Sequence, residues 1–84
     1  MNDEARAYHQ KFGRNIRSYR LSHGLMQIDV AVATGLNRTY ISRIETGKAR
    51  LTLKVLDKLM KGLDASCDLE DCRIFDKPSR PQKK

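Results

Sequence analysis

The sequence predicts a compact all-α domain of five helices, and three observations carry that expectation. Apolar residues recur at helical spacing, as with Phe12, Ile16 and Tyr19, and no run alternates as a half-buried strand would. Cap residues and glycines divide the chain into helix-length pieces, with Asn37, Thr52 and Ser66 as starts and Gly24, Gly35 and Gly47 as stops. Within QIDVAVATGLNRTYISRIET, Gln27 to Thr46, the residues Val30, Ala31, Gly35, Leu36, Ile41 and Ile44 fall where two short helices bury one face against each other.

Each element has a local reason. Residues 1–9 are a polar lead-in able to extend the first helix, which runs from Gln10 to Ser22 with Lys11, Arg14 and Arg17 on its other faces. His23-Gly24 ends it, Gly24 being suited to a left-handed cap, and Leu25 plugs the core. Helix 2 covers Met26 to Thr34. Gly35 then makes the turn, because a residue there needs positive φ. Asn37 caps helix 3, which reaches Glu45 and is closed by Gly47. Thr52 caps helix 4, Leu53 to Leu63, with Leu53, Leu56, Leu59, Met60 and Leu63 inward and Lys54, Lys58 and Lys61 on a solvated face. Ser66 is expected to cap a fifth helix ending at Phe75, with Asp68 and Glu70 favourable to its dipole. The domain is thus placed at 10–75, followed by a basic, proline-broken tail over 76–84 that is expected to be disordered.

Composition narrows the function classes. At 84 residues the chain is one small domain, and its net charge is +7. From Lys11 to Arg50, eight basic residues face only Asp29 and Glu45, while the stretch from Lys54 to Phe75 is nearly balanced. A basic front end suits a polyanionic partner. Cys67 and Cys72 would stand about 140° apart on a helix, unable to bridge and without zinc-ligand spacing. They are read as small buried or half-buried residues. His9 and His23 stand alone and are read as surface residues. No apolar run approaches a membrane span and the N-terminus has no signal core, so a soluble, cytoplasmic protein without a membrane partner is expected. No glycine loop for phosphates, metal constellation or nucleophile beside a base is found, so no enzyme, cofactor or metal is expected.

The spacing from Gln27 to Thr46 is that of a helix-turn-helix, whose second helix leaves Arg38, Thr39 and Arg43 free to enter a DNA major groove. Arginine there can donate two hydrogen bonds to a guanine edge, and threonine can offer a hydroxyl or meet a thymine methyl. Tyr40 and Ser42 flank this stripe and suit backbone contacts. One such helix reads only a few base pairs. A homodimer reading an inverted repeat, with half-site centres roughly 34 Å apart, is therefore expected. Leu69, Cys72, Ile74 and Phe75 are apolar beyond what a small monomer easily buries and are the candidate dimer interface.

From Phe12 to about Leu63, through FGRNIRSYR, GLMQIDVAVATGLNRTYISRIETGK and LTLKVLDKLMKGL, the chain resembles the lambda-repressor-like, Cro/cI-type (Xre) DNA-binding domains. GLNRTYISRIE followed by LTLKVLDKLMKGLD is most similar to restriction–modification controller proteins, small homodimers that bind operators ahead of their own gene and time endonuclease expression. The resemblance implies base reading by Arg38, Thr39 and Arg43. It implies that Gln27 is aimed at a phosphate, and that Thr46, Lys48 and Arg50 grip the DNA backbone. It also implies a structural ion pair between Arg20 and Glu45 that ties helix 1 to helix 3. A dimer on an operator would block RNA polymerase or recruit it. Two positions depart from the family pattern: Met26 replaces the usual Ser or Thr cap, and Leu51 the usual proline. The alternatives are a phage or plasmid repressor, an antitoxin that also binds a toxin protein, and a non-specific DNA binder.

Overall fold

The computed structural model describes residues 3–77. It holds four helices, α1 (Asp3–Ser22), α2 (Gln27–Thr34), α3 (Arg38–Glu45) and α4 (Leu53–Leu63), followed by an antiparallel hairpin of β1 (Ala65–Asp68) and β2 (Arg73–Asp76). The lead-in is helical from Asp3, so it extends α1. Phe12, Ile16 and Tyr19 form its buried stripe. The core they enter is completed by Val30, Ile41, Ile44 and the α4 residues Leu56, Leu59, Met60 and Leu63.

Local chemistry sets most boundaries as expected. Gly35 sits at φ 74° and its N–H donates to Ala31 O, closing α2 and opening the turn into α3. The Asn37 side chain accepts from Thr39 N and Tyr40 N, and the Thr52 hydroxyl accepts from Val55 N. Met26 is largely exposed and supplies no side-chain cap; instead the Asp29 carboxylate accepts the Met26 N–H at 2.7 Å, the reciprocal half of a capping box. Leu53, expected inward, is 72% exposed. It is the first residue of α4, and helical side chains tilt toward the N-terminus, so it projects past the packed body.

The expected fifth helix is not present. Ser66 to Phe75 lies within the hairpin, in the register Ala65↔Asp76, Ser66↔Phe75, Cys67↔Ile74 and Asp68↔Arg73. The chain leaves α4 through Asp64, in left-handed conformation at φ 54°. Asp68, expected to favour a helix dipole, accepts the backbone N–H groups of Glu70 and Asp71 and so makes a turn. Those bonds hold its carboxyl below the usual carboxylate range. Cys72, at φ 61°, closes the turn. Cys67 and Cys72 are thus hairpin residues, half-buried and buried, both free, with thiols pushed up by burial.

One face of α1 holds the hairpin. Tyr8 OH donates to Leu69 O at 3.1 Å, Asn15 Nδ2 to Cys72 O at 2.6 Å, and Tyr19 OH to Asp76 Oδ1 at 2.5 Å. Spacings of seven and four residues put these three side chains on one stripe. Asp76 is therefore the last residue of β2 rather than the first of a tail; the remainder of the expected tail, from residue 78 on, lies outside the described residues. Neither histidine stands alone. His23 stacks on Tyr19 with its Nε2 3.1 Å from Asp76 Oδ1, and His9 Nδ1 accepts Leu51 N–H at 3.4 Å. Among the described residues no helix is long and apolar enough to cross a membrane.

Candidate nucleic-acid interface

Helix α3 owes its position to two contacts with α1. At Gly13 the backbones nearly touch: a Cβ there would stand 2.1 Å from Ile44 O, so only glycine permits the crossing. Two turns further on, Arg20 pairs with Glu45 through Nε–Oε2 at 2.7 Å and Nη2–Oε1 at 3.0 Å, and its Nη1 donates to Leu25 O at 2.8 Å. Both side chains are buried, and each charge meets the other in a two-bond fork. Gln27 Nε2 adds a third bond to that carboxylate, 3.1 Å from Glu45 Oε1. The expected ion pair is in place, and it recruits a residue expected to face a phosphate, since the Gln27 amide turns toward Glu45.

The outer face of α3 is open. Arg38, Thr39 and Arg43 are exposed, and Tyr40 and Ser42 are half-buried beside them. Gln27, Arg38, Thr39 and Ser42 line a shallow cleft at the junction of α2 and α3, and Arg38 also borders a second cleft with Met26, Gln27 and Ile28. The N-terminus of α2 therefore opens onto the same surface as the first turn of α3. The N-terminal end of α2 and the exposed Arg38 guanidinium suit an anionic, hydrogen-bonding ligand.

The loop after α3 is bound to the helix it follows. Lys48 N and Ala49 N donate to Arg43 O, Arg43 Nη2 donates to Lys48 O at 3.1 Å, and Tyr40 OH donates to Arg50 O at 3.2 Å. The Thr46 hydroxyl donates back to Ser42 O. The side chains of Lys48 and Arg50 remain exposed. All nine residues singled out around α3 thus share one surface or its rim. Sequence reasoning missed that Tyr40 props the loop, that Arg43 is held to it, and that Gln27 bonds Glu45. The residue types permit these bonds but their spacing does not require them.

The four residues offered as a dimer interface separate. Leu69 and Phe75 are exposed on the hairpin, Ile74 is half-buried against the core, and Cys72 is buried. Cys67 and Ile74 pair on the inner face of the hairpin, Ser66 and Phe75 on the outer.

Four helices with this turn and this exposed basic helix define a helix-turn-helix protein. The helix-turn-helix family model matches residues 16–69, and the chain belongs to that family. It is 42% identical over 52 residues to the control protein C.SmaI of Serratia marcescens, covering 62% of each. It is 32% identical over 54 residues, 64% of its length, to the antitoxin PezA of Streptococcus pneumoniae serotype 4, of which it covers 34%. The chain therefore spans less than two thirds of the length of either curated relative. Among solved structures it is similar to the restriction–modification controller protein C.Esp1396I, crystallised as a tetramer with its natural 35 base-pair operator. Identity there is 42% and the TM-score 0.68, over 70% of this chain and 78% of that one.

Proposed function

We propose that this protein is a sequence-specific double-stranded-DNA-binding regulator of transcription, acting as a homodimer on an inverted-repeat operator in the manner of restriction–modification controllers. The observation that carries this reading is the open face of α3. Arg38, Thr39 and Arg43 point outward from a helix whose orientation is set by the Arg20–Glu45–Gln27 network. Arg38 and Arg43 read guanine edges, and Thr39 adds a hydroxyl or a methyl contact. Tyr40, Ser42, Thr46, Lys48 and Arg50 hold phosphates and set the register, and Gln27 contributes through the N-terminus of α2 while its amide stays on Glu45. For Arg43 this means exchanging its bond to Lys48 O for a base.

Two copies joined through the hairpin, with Leu69 and Phe75 as apolar contacts, present two reading helices related by a twofold axis. Occupancy follows mass action: a dimer beside a promoter occludes RNA polymerase or recruits it, and a second dimer on an adjacent site reverses the sign as concentration rises. The tetramer on its operator seen for C.Esp1396I is the precedent for paired dimers. The similarity to PezA favours a second reading, an antitoxin whose remaining surface binds a toxin.

Selection from random duplex DNA near physiological salt, then titration of the winner, tests both. A twofold-symmetric winner bound at least about a hundred times tighter than scrambled duplex fits the operator reading, within the range of specific recognition. No winner, with a steep salt slope, leaves a non-specific binder. Co-purification with a small protein encoded next to this gene would favour the antitoxin.

A further inference from the structure

Outside the helix-turn-helix the strongest unexplained feature is an arginine stripe on α1. Arg6, Gln10 and Arg14 follow one another at four-residue spacing, and Arg17 stands seven residues after Gln10, so all four share one side of the helix. All four are exposed. None of the three arginines has an ion-pair or hydrogen-bond partner among the described residues. The acid on that side, Asp3, lies at the start of the helix beyond Arg6.

This stripe adjoins the loop that carries Lys48 and Arg50. Gly47 lies so close to Gln10 that a Cβ on it would stand 2.4 Å from Gln10 Cγ and 2.9 Å from Gln10 Cα. His9 bonds Leu51 N, fixing the far end of the same loop. Arg17 is four residues after Gly13, where α1 touches the C-terminal carbonyls of α3, and three before Arg20. The end of α3 and the loop after it therefore lie against the middle of the stripe, which runs along α1 for about 16 Å. Each DNA strand offers one phosphate charge per roughly 3.4 Å of axis, so the stripe can meet several in succession.

We infer that Arg6, Arg14 and Arg17 form a second phosphate track, continuous with the Lys48–Arg50 loop, which binds the DNA backbone beyond the phosphates that loop holds. The inference rests on the operator reading for its position along the DNA. It concerns the backbone alone, so the stripe adds affinity for any duplex and leaves base preference unchanged.

The test compares the full chain with Arg6→Gln/Arg14→Gln/Arg17→Gln on the selected duplex and on a scrambled duplex of the same length, across a salt series. The expected result is at least about tenfold weaker binding of both duplexes at moderate salt, with a log–log salt slope shallower by about 0.9 per arginine per protomer. Ethylation interference should lose a group of phosphates while those tied to Lys48 and Arg50 persist. The lysine triple, Arg6→Lys/Arg14→Lys/Arg17→Lys, keeps the slope, and Lys58→Gln on α4 leaves binding unchanged. An unchanged slope and interference pattern in a folded glutamine triple overturns the inference and leaves the operator reading standing. If the wild type selects no sequence, the operator reading falls, and the slope on scrambled duplex still decides the stripe.

Discussion

Gln27 and Glu45 are joined across the turn between α2 and α3, amide to carboxylate at 3.1 Å, on the carboxylate that Arg20 grips from α1. Three helices therefore meet at one buried acid. Removing one partner of a buried pair leaves the other charge without compensation, at a cost of roughly 3–5 kcal/mol. Glu45→Ala should lower stability by about that much in chemical denaturation, and the apolar pair Arg20→Met/Glu45→Leu should recover a large part of it. Glu45→Ala should also weaken binding to the selected duplex without improving binding to scrambled DNA. If both affinities rise, Glu45 acts only as a repulsive charge near phosphate.

Gly13→Ala inverts a familiar rule. In a free helix interior the change from glycine to alanine gains roughly 1 kcal/mol. Here the new methyl would stand 2.1 Å from Ile44 O, a backbone atom with no rotamer to yield. The expected outcome is a loss of roughly 1–3 kcal/mol, the usual cost of overpacking. A lower denaturation midpoint with an unchanged m-value would show it; a gain would mean that α1 and α3 part easily.

Arg38→Ala and Arg43→Ala should each relax preference at one position per half-site by roughly 1–3 kcal/mol, leaving affinity for scrambled duplex nearly intact. Titration of single-base operator variants reads this directly. Arg43→Ala also removes the bond to Lys48 O, so its loop should gain mobility, visible as faster amide exchange at Lys48 and Ala49.

The link between Tyr19 and Asp76 predicts a pH signature with opposite signs at the two ends of the scale. Hydrogen bonds from Tyr19 and His23 hold the Asp76 carboxyl below its usual value. Its contribution is therefore full above the unfolded carboxylate pKa near 4 and is lost as pH falls through the lower folded value. Burial, then the bond to Asp76, pushes the Tyr19 phenol up to about 12. That contribution is full below the unfolded phenol pKa near 10 and is lost as pH rises toward the folded value. The melting-temperature gap between wild type and Tyr19→Phe should be level from pH 6 to 9 and close at both extremes, roughly below 4 and above 10. A level gap throughout would rule out the linkage.

Phe75→Glu should shift the protein toward monomer in sedimentation and weaken binding to a two-half-site duplex far more than to a single half-site. Phe75 is 42% exposed on the outer face of the hairpin, so the substitution leaves the core intact. Unchanged sedimentation would remove the hairpin from the interface.

Much of the fold was legible because the signals were local. Asn37, Thr52 and Gly35 each act within a turn of their own position, and the bounds of α3 and α4 follow from them. The openness of Arg38, Thr39 and Arg43 follows from helical period alone. The hairpin was not legible because its cues serve two outcomes. Ser66 and Asp68 can begin a helix, but Asp68 equally makes a turn through Glu70 N and Asp71 N. Tyr8, Asn15 and Tyr19, some sixty residues earlier, decide between them, and their spacing on α1 gives no hint of what they hold. The same holds for Gln27, whose orientation depends on an acid that lies near it only after folding.

The contact between α1 and β2 joins the first and last elements among the described residues, and so delays closure of this face until β2 is made. Chains leave the ribosome at about 5–20 residues per second. Until Asp76 emerges, Tyr19 has no acceptor for its hydroxyl and the Tyr8–Asn15–Tyr19 face of α1 stays wet. A message cut short before Arg73 yields a product missing the strand that shelters this face, and proteases remove such open forms first. Copies that lack this strand are therefore cleared before they accumulate, and the surviving pool is made of chains in which α1 is sheltered.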